Sequence, residues 1–248
     1  GLEGALQHPS QLDGIAVKLT LQGADMQQLY PLTGLVLPRT PAFKVQGDLN
    51  GAFSPGKARW SFKNFRGTVG KSDLQGELQY VSSADRPVLS GALSSTELQL
   101  ADLGALIGAG APNKKTGKVL PNMPLGVERW RDMDADISFA ATKIHRPDAL
   151  PLTNVSLHAK LNEQQLRIDP LVFGVAQGKF SVPVFIDARQ SPPHVVVQGR
   201  VEGLKLAALF PTIERTQKSL GELDGRIDLH GQGDNVARLL ATSHGRIA

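Results

Sequence analysis

Apolar and polar side chains alternate strictly in segment after segment of this chain, and that pattern limits its folds more than any other feature. Ile15-Ala-Val17-Lys-Leu19-Thr-Leu21 is apolar at every second position, as are Ala58-Arg-Trp60-Ser-Phe62-Lys and Leu74-Gln-Gly76-Glu-Leu78-Gln-Tyr80. Ile137-Ser-Phe139-Ala, Val155-Ser-Leu157-His-Ala159-Lys-Leu161 and Leu223-Asp-Gly-Arg-Ile227-Asp-Leu229-His continue it. Successive strand side chains point to opposite faces, so each segment has one greasy side and one wet side. A parallel sheet covered on both faces would show continuous apolar runs instead. The pattern therefore predicts a mainly β protein of repeated antiparallel strands. Phe180-Ser-Val182-Pro-Val184-Phe-Ile186 and Val195-Val-Val197 are apolar at more positions, as strands covered on both faces would be. Pro183 has no amide to donate, so its strand should lie at an edge or carry a bulge.

Composition fits a many-stranded protein. The 248 residues suffice for one large all-β domain or two ordinary ones, and 26 Gly and 16 Pro supply turns on that scale. Aromatic residues are 5% of the chain, so a core must rely on Leu, Val, Ile and Ala. The net charge is only +4, and no basic run is longer than Lys114-Lys115, which argues against a nucleic-acid partner. Cysteine is absent, which removes disulfides, thiol catalysis and Cys-based zinc sites. No apolar run approaches the roughly 18 residues of a membrane-spanning helix. The chain opens without a signal-peptide pattern, and it reads as a segment of a longer protein whose anchor or targeting signal lies elsewhere.

Helical signals are short. The spacing Gly/Glu-x-x-Leu/Met/Val-x-x-Leu occurs at Gly23–Leu29, Glu97–Leu103, Gly203–Leu209 and Gly233–Leu239. Apolar residues three apart predict one turn or so of amphipathic helix, each following a strand and plugging the rim of the sheet. Longer stretches also align. Phe65 to Leu74 parallels Phe173 to Phe180, and Pro87 to Ala101 parallels Pro193 to Ala207, at an offset near 107 with gaps. An internally repeated architecture follows. Gly108 to Pro124 breaks the pattern with Gly, Pro, Asn and Lys, and Gly126 to Met133 reads as a short helix. Residues 1–110 are thus expected to form a first β segment with rim helices, 111–125 a loop or linker, and 126–248 a second segment continuing the same groove.

Formal motif matches fail on inspection. Gly70-Lys71-Ser72 has Phe65 where a phosphate loop needs its first Gly, and it sits between alternating strands as a hairpin turn would. Asp132-Met-Asp134-Ala-Asp136 would place Ile137 and Lys143 where a calcium loop needs Gly and Glu. It reads as a solvated turn into a strand. Ser54-Pro-Gly-Lys57 has turn chemistry after its serine rather than a helix. Gly231-Gln-Gly233 lacks the third glycine of a dinucleotide fingerprint. The six histidines show no ligand spacing, and His158 and His230 fall in the polar phase of their strands. No enzyme, metal or cofactor is expected.

Two uses of the apolar faces remain open at this point. They meet in the dry core of a closed sandwich or barrel, or they line an open trough that takes a ligand. A smooth aliphatic lining suits long acyl chains, since each methylene withdrawn from water contributes roughly 0.8 kcal/mol.

A family resemblance bears on that choice. Asp25-Met-Gln-Gln-Leu29-Tyr-Pro31-Leu, Leu37-Pro38, Gly47-Asp-Leu and Phe65-Arg-Gly67-Thr-Val-Gly70-Lys-Ser72-Asp-Leu74-Gln-Gly76 resemble the AsmA-like proteins. So do Arg86-Pro87, Leu98-Gln-Leu100-Ala-Asp102-Leu103 and Gly221-Glu-Leu-Asp-Gly225-Arg-Ile-Asp-Leu-His-Gly231-Gln-Gly233. The resemblance covers nearly the whole chain outside 108–124. It implies a curled, taco-like β-groove in the periplasm of a Gram-negative bacterium, held to the inner membrane by an anchor outside this segment. It also implies phospholipid transport between the inner and outer membranes, with no catalytic residues. The side chains expected to line the groove are Val17, Leu19, Leu21, Val45, Trp60, Phe62, Leu74, Leu78, Tyr80, Ile137, Phe139, Leu157, Phe180, Val182, Val184, Ile186, Val195, Val197, Ile227 and Leu229. The competing reading is a scaffold or chaperone-like module that offers strand edges to outer-membrane or periplasmic protein partners. A carbohydrate-binding sandwich, short of aromatic platforms, ranks below both.

Overall fold

A computed structural model describes residues 2–8, 13–29, 37, 40–54, 57–82, 86–103, 127–146, 149–209 and 221–248. The 111–125 linker falls outside them. The first six strands are β1 (Leu2–His8), β2 (Asp13–Gly23), β3 (Phe43–Ser54), β4 (Lys57–Val69), β5 (Ser72–Val81) and β6 (Val88–Gln99). Next come β7 (Asp134–Arg146), β8 (Ala149–Asn162), β9 (Gln165–Val175), β10 (Gly178–Ser181) and β11 (Val184–Asp187). The last three are β12 (His194–Lys205), β13 (Glu222–Gln232) and β14 (His244–Ile247). All belong to one sheet and pair almost entirely in chain order, β10 and β11 sharing one place between β9 and β12. The fold is mainly β, as the alternation predicts.

One pairing departs from the antiparallel expectation. β6 and β7 run parallel, Val88 facing Asp134 and Gln99 facing His145. Periodicity cannot report this, because a strand buried on one face alternates identically whichever way its neighbour runs. Here the chain leaves β6 at one rim and re-enters at the other, so the neighbouring strand begins beside the start of β6.

Each of the four seven-residue patterns forms a helical turn beginning at its fourth residue. They are η1 (Met26–Leu29), η2 (Leu100–Leu103), a helix at Leu206–Leu209 and a helix at Val236–Thr242. The first three follow β2, β6 and β12 at the same rim, and the fourth lies at the opposite rim after β13. The fourth has a side-chain cap, Asn235 accepting a hydrogen bond from the Arg238 amide at 2.8 Å. A further short turn, η3 (Val127–Arg131), precedes β7 where a helix is expected.

The internal repeat is regular. β4, β5, β6 and η2 recur 106 residues later as β9, the β10–β11 pair, β12 and the helix at Leu206, with matching ends at Val69/Val175, Ser72/Gly178, Val81/Asp187 and Gln99/Lys205. Irregularities recur too. β4 slips register between Phe62 and Phe65 against β5, and β9 slips between Ile168 and Leu171 against β8. β5 bends at Gly76, whose φ of +149° suits glycine and whose Cβ would lie 2.1 Å from the Ala92 carbonyl oxygen. The matching place is Val182-Pro183, where the strand splits into β10 and β11. Proline's missing amide therefore falls in a break of an interior strand, meeting the bulge expectation rather than the edge one.

Three apolar clusters pack against the sheet. Phe43, Val45, Phe62, Phe65 and Val69 form the first, and Tyr80, Leu89 and Met133 the second. Leu98, Ala141, Ile144 and Val155 form the third. No side chain among the described residues is less than 2% exposed. Among the described residues, a single sheet with short helices has no second layer to seal its core.

Candidate functional site

Residues directly opposite on neighbouring strands share a face of the sheet, so the pairing register shows what each face carries. One rung runs Val17, Leu49, Phe62, Leu78, Gly91, Ile137 and Ala159 from β2 to β8. It continues through Ile168, Val184, Val197, Leu229 and Gly245 to β14. The next rung reads Ile15, Gly51, Trp60, Tyr80, Leu89, Ala135, Leu161, Leu166, Ile186, Val195 and Gly231. Every position on both rungs is apolar or glycine.

The remaining expected residues join this face. Leu19 lies opposite Gly47 and Leu21 opposite Val45, and Gly67 separates Val45 from Leu74. Phe139 faces Leu157, Phe180 faces Phe173 and Val201, and Ile227 faces Gly199. Val182 sits in the strand break, its Cγ2 3.1 Å from where a Cβ on Gly199 would lie. All twenty side chains therefore lie on one side of the sheet. Sequence reading missed Leu49, Leu89, Leu166 and Ile168, which occupy the same rungs. The alternation Leu166-Arg-Ile168 marks two of them by the same period-two rule.

The opposite face is polar and satisfied locally. His158 lies 2.6 Å from Asp136 across β7 and β8, and His230 lies 3.1 Å from Asp228. Both histidines are on the wet side, as their phase predicts. Phe185, apolar on this face, is covered by the Arg167 guanidinium 5.4 Å from its ring centre. A depression of about 770 Å³ lies among Arg66, Gln75, Glu77, Ser94, Ser138, Ala140, Ser156 and His158. Its small central side chains are flanked by long ones.

The motif-like residues settle into structural roles. Gly70 and Lys71 make the β4–β5 turn, and the Asp102 carboxylate of η2 accepts the Lys71 amide at 2.8 Å and the Ser72 hydroxyl at 2.7 Å. Asp134 opens β7, pairs with Arg86 at 2.9 Å and accepts the Glu163 amide. Asp73 is desolvated, yet amides of Thr96 and Glu97 and the Ser95 hydroxyl outweigh this and hold its pKa below the usual range. Asp187, 6% exposed, lies far below that range. The Arg189 guanidinium bonds both its oxygens, at 2.9 and 2.6 Å, and Gln165 adds a further donor. Among the described residues no three His, Asp or Glu side chains converge as metal ligands, and no helix is long and apolar enough to cross a membrane. What the apolar face can do chemically is exclude water along a continuous strip.

Comparison with known proteins agrees with the resemblance. No solved structure matches the chain. The AsmA family protein YhjG of Escherichia coli (strain K12) is 35% identical over 263 residues, an alignment covering 99% of this chain and 38% of that protein. The chain thus spans well under half the length of this relative. A model of the AsmA family matches residues 2–248. On both grounds the chain belongs to the AsmA family.

Proposed function

We propose that this chain is a periplasmic stretch of a lipid-transfer protein, its sheet curled into an open, taco-like groove that accommodates phospholipid acyl chains. In this reading the protein is not an enzyme. It supports phospholipid movement between inner and outer membranes, and an anchor outside this chain holds it to the inner membrane. One observation carries the reading: two unbroken apolar rungs run from β2 to β13 on a face that no second layer of described residues covers. Where such a strip meets water the exposure is costly, at about 25 cal/mol per Å² of apolar area, and acyl chains relieve that cost without needing polar partners. Family membership supplies the envelope setting.

Lipid extraction and native mass spectrometry of the purified protein test the proposal. Co-purifying phospholipid is expected, and a lipid-free protein whose apolar face resists labelling by a soluble carbene would sink it. The scaffold reading draws support from β14, an edge strand whose Ile247 is 77% exposed. Photocrosslinkers that capture protein along β14 and no lipid on the rungs would favour that reading.

A further inference from the structure

We propose that lipid occupies only part of the strip: the acyl chains lie along β9 to β13, while the stretch from β2 to β8 is filled by the protein's own side chains. This rests on the lipid reading above and sharpens where the cargo sits. The three apolar clusters draw their buried members from β3 to β8 and from Met133, and Phe173 is the one β9 side chain packed on any of them. None includes a residue of β10 to β14. Yet both rungs continue across those strands, with Ile168, Val184, Val197 and Leu229 on one and Leu166 and Ile186 on the other. These six are half-buried, without a cluster above them, and Val195 beside Ile186 is the one buried side chain on the rungs there.

The cause of the difference is legible in the glycines. In the first stretch, aromatic side chains are set against glycines with no room for a Cβ. A Cβ on Gly51 would lie 2.6 Å from the Trp60 Cβ, and one on Gly47 2.9 Å from a Phe62 ring carbon. Large rings can therefore lie across their neighbours. Trp60 stacks with Tyr80 at 5.4 Å between ring centres, and Phe62 with Phe65 at 5.4 Å. Ring area there replaces what a ligand would cover. In the second stretch the rungs carry β-branched and Leu side chains without rings, and all but Val195 remain half-buried. They present no hydrogen-bonding side chain, so the occupant they fit is hydrocarbon.

The dimensions agree with that occupant. The four strand positions from β9 to β13, each about 4.8 Å wide, cover roughly 19 Å. The acyl region of one bilayer leaflet is about 15 Å deep, half of the roughly 30 Å hydrocarbon core. The chains of one phospholipid lying across the strands fit within the uncovered stretch.

The test places a photoreactive amino acid at Val184, Val197 or Leu229, and at Leu49 or Leu74, two half-buried residues packed on the first cluster. Each variant is made in the full protein, crosslinked in cells and read by mass for lipid adducts. Circular dichroism checks that each is folded. Adducts at the first three positions at least tenfold above those at Leu49 and Leu74 are expected. Comparable adducts in both sets, or adducts only in the second, would overturn the partition and leave the lipid reading standing. No lipid adduct at any position would remove both.

Discussion

The block from β4 to η2 and its counterpart 106 residues later share strand ends, register slips and the position of the mid-strand bend, yet they are held together differently. The first uses aromatic rings over glycines and two carboxylates. Asp102 ties the rim turn to the hairpin between β4 and β5, and Asp73 pins the end of β6 through the Thr96 and Glu97 amides. The second has Ala208 and Lys179 at those places. Its hairpin is tied by a backbone bond from the Lys205 amide to the Ala176 carbonyl, and its bulge at Gly203 is pinned by Asp224 from the following strand. Register is thus the shared property of the repeats, and filling is what distinguishes them. A ladder requires only that each strand keep its phase, whereas the volume above it is free to change.

That contrast can be broken by substitution. The largest effect is expected for Phe65→Ala, which removes a 4% exposed ring from the first cluster. It should cost about 3–5 kcal/mol in urea unfolding. Removing a ring from the second block, by Phe180→Ala at a half-buried ring stacked on Phe173, should cost about 1–2 kcal/mol. Equal losses would mean that the second block is as fully packed as the first.

Asp187→Ala comes next, at about 2–3 kcal/mol, since it deletes a buried carboxylate with two charge-assisted partners of which Arg189 is half exposed. Its folded pKa is depressed, so its contribution is fully present above the unfolded carboxylate value of about 3.9 and is lost as pH falls below it. The wild-type protein should therefore lose stability between about pH 4 and pH 2 more steeply than Asp187→Ala does. Parallel acid profiles would show that this carboxylate does not anchor the turn.

Asp102→Ala should cost about 1–2 kcal/mol and speed hydrogen exchange at Lys71 more than at Gln177, the matching turn residue of the second block. Uniform exchange at both turns would argue against the tie. Smallest of all, Val184→Ala should change stability by about 1 kcal/mol or less, because the side chain is only half-buried. Its readout is bound phospholipid, expected to fall while Tm stays within a few degrees.

Much of this was legible in the alternation. Ile15–Leu21, Leu74–Tyr80 and Val155–Leu161 are strands in the phase their side chains dictate, and Met26, Leu100, Leu206 and Val236 each begin a helical turn. The near-107 offset is 106. Other features were invisible for physical reasons. The parallel β6–β7 pair depends on where the chain re-enters the sheet, which period two does not encode. Leu49, behind Gly47-Asp48, and Ile168, next to Asp169-Pro170, border register slips, where local phase is a poor guide. Nor does the sequence say which apolar positions are filled from within, since that depends on glycines and rings meeting across strands, such as Gly51 beneath Trp60.

The unbroken rungs also constrain how such a protein can change length over time. Outside a bulge such as that between Phe62 and Phe65, inserting or deleting one residue within a strand reverses the face of everything beyond it and puts a polar side chain among hydrocarbon. Two residues restore the phase, and a turn absorbs any number. Tolerated length variation should therefore obey a parity rule: even steps inside strands, unrestricted steps at the rims. The two blocks, whose strand ends and slips fall in matching places, show no net step inside any of these strands.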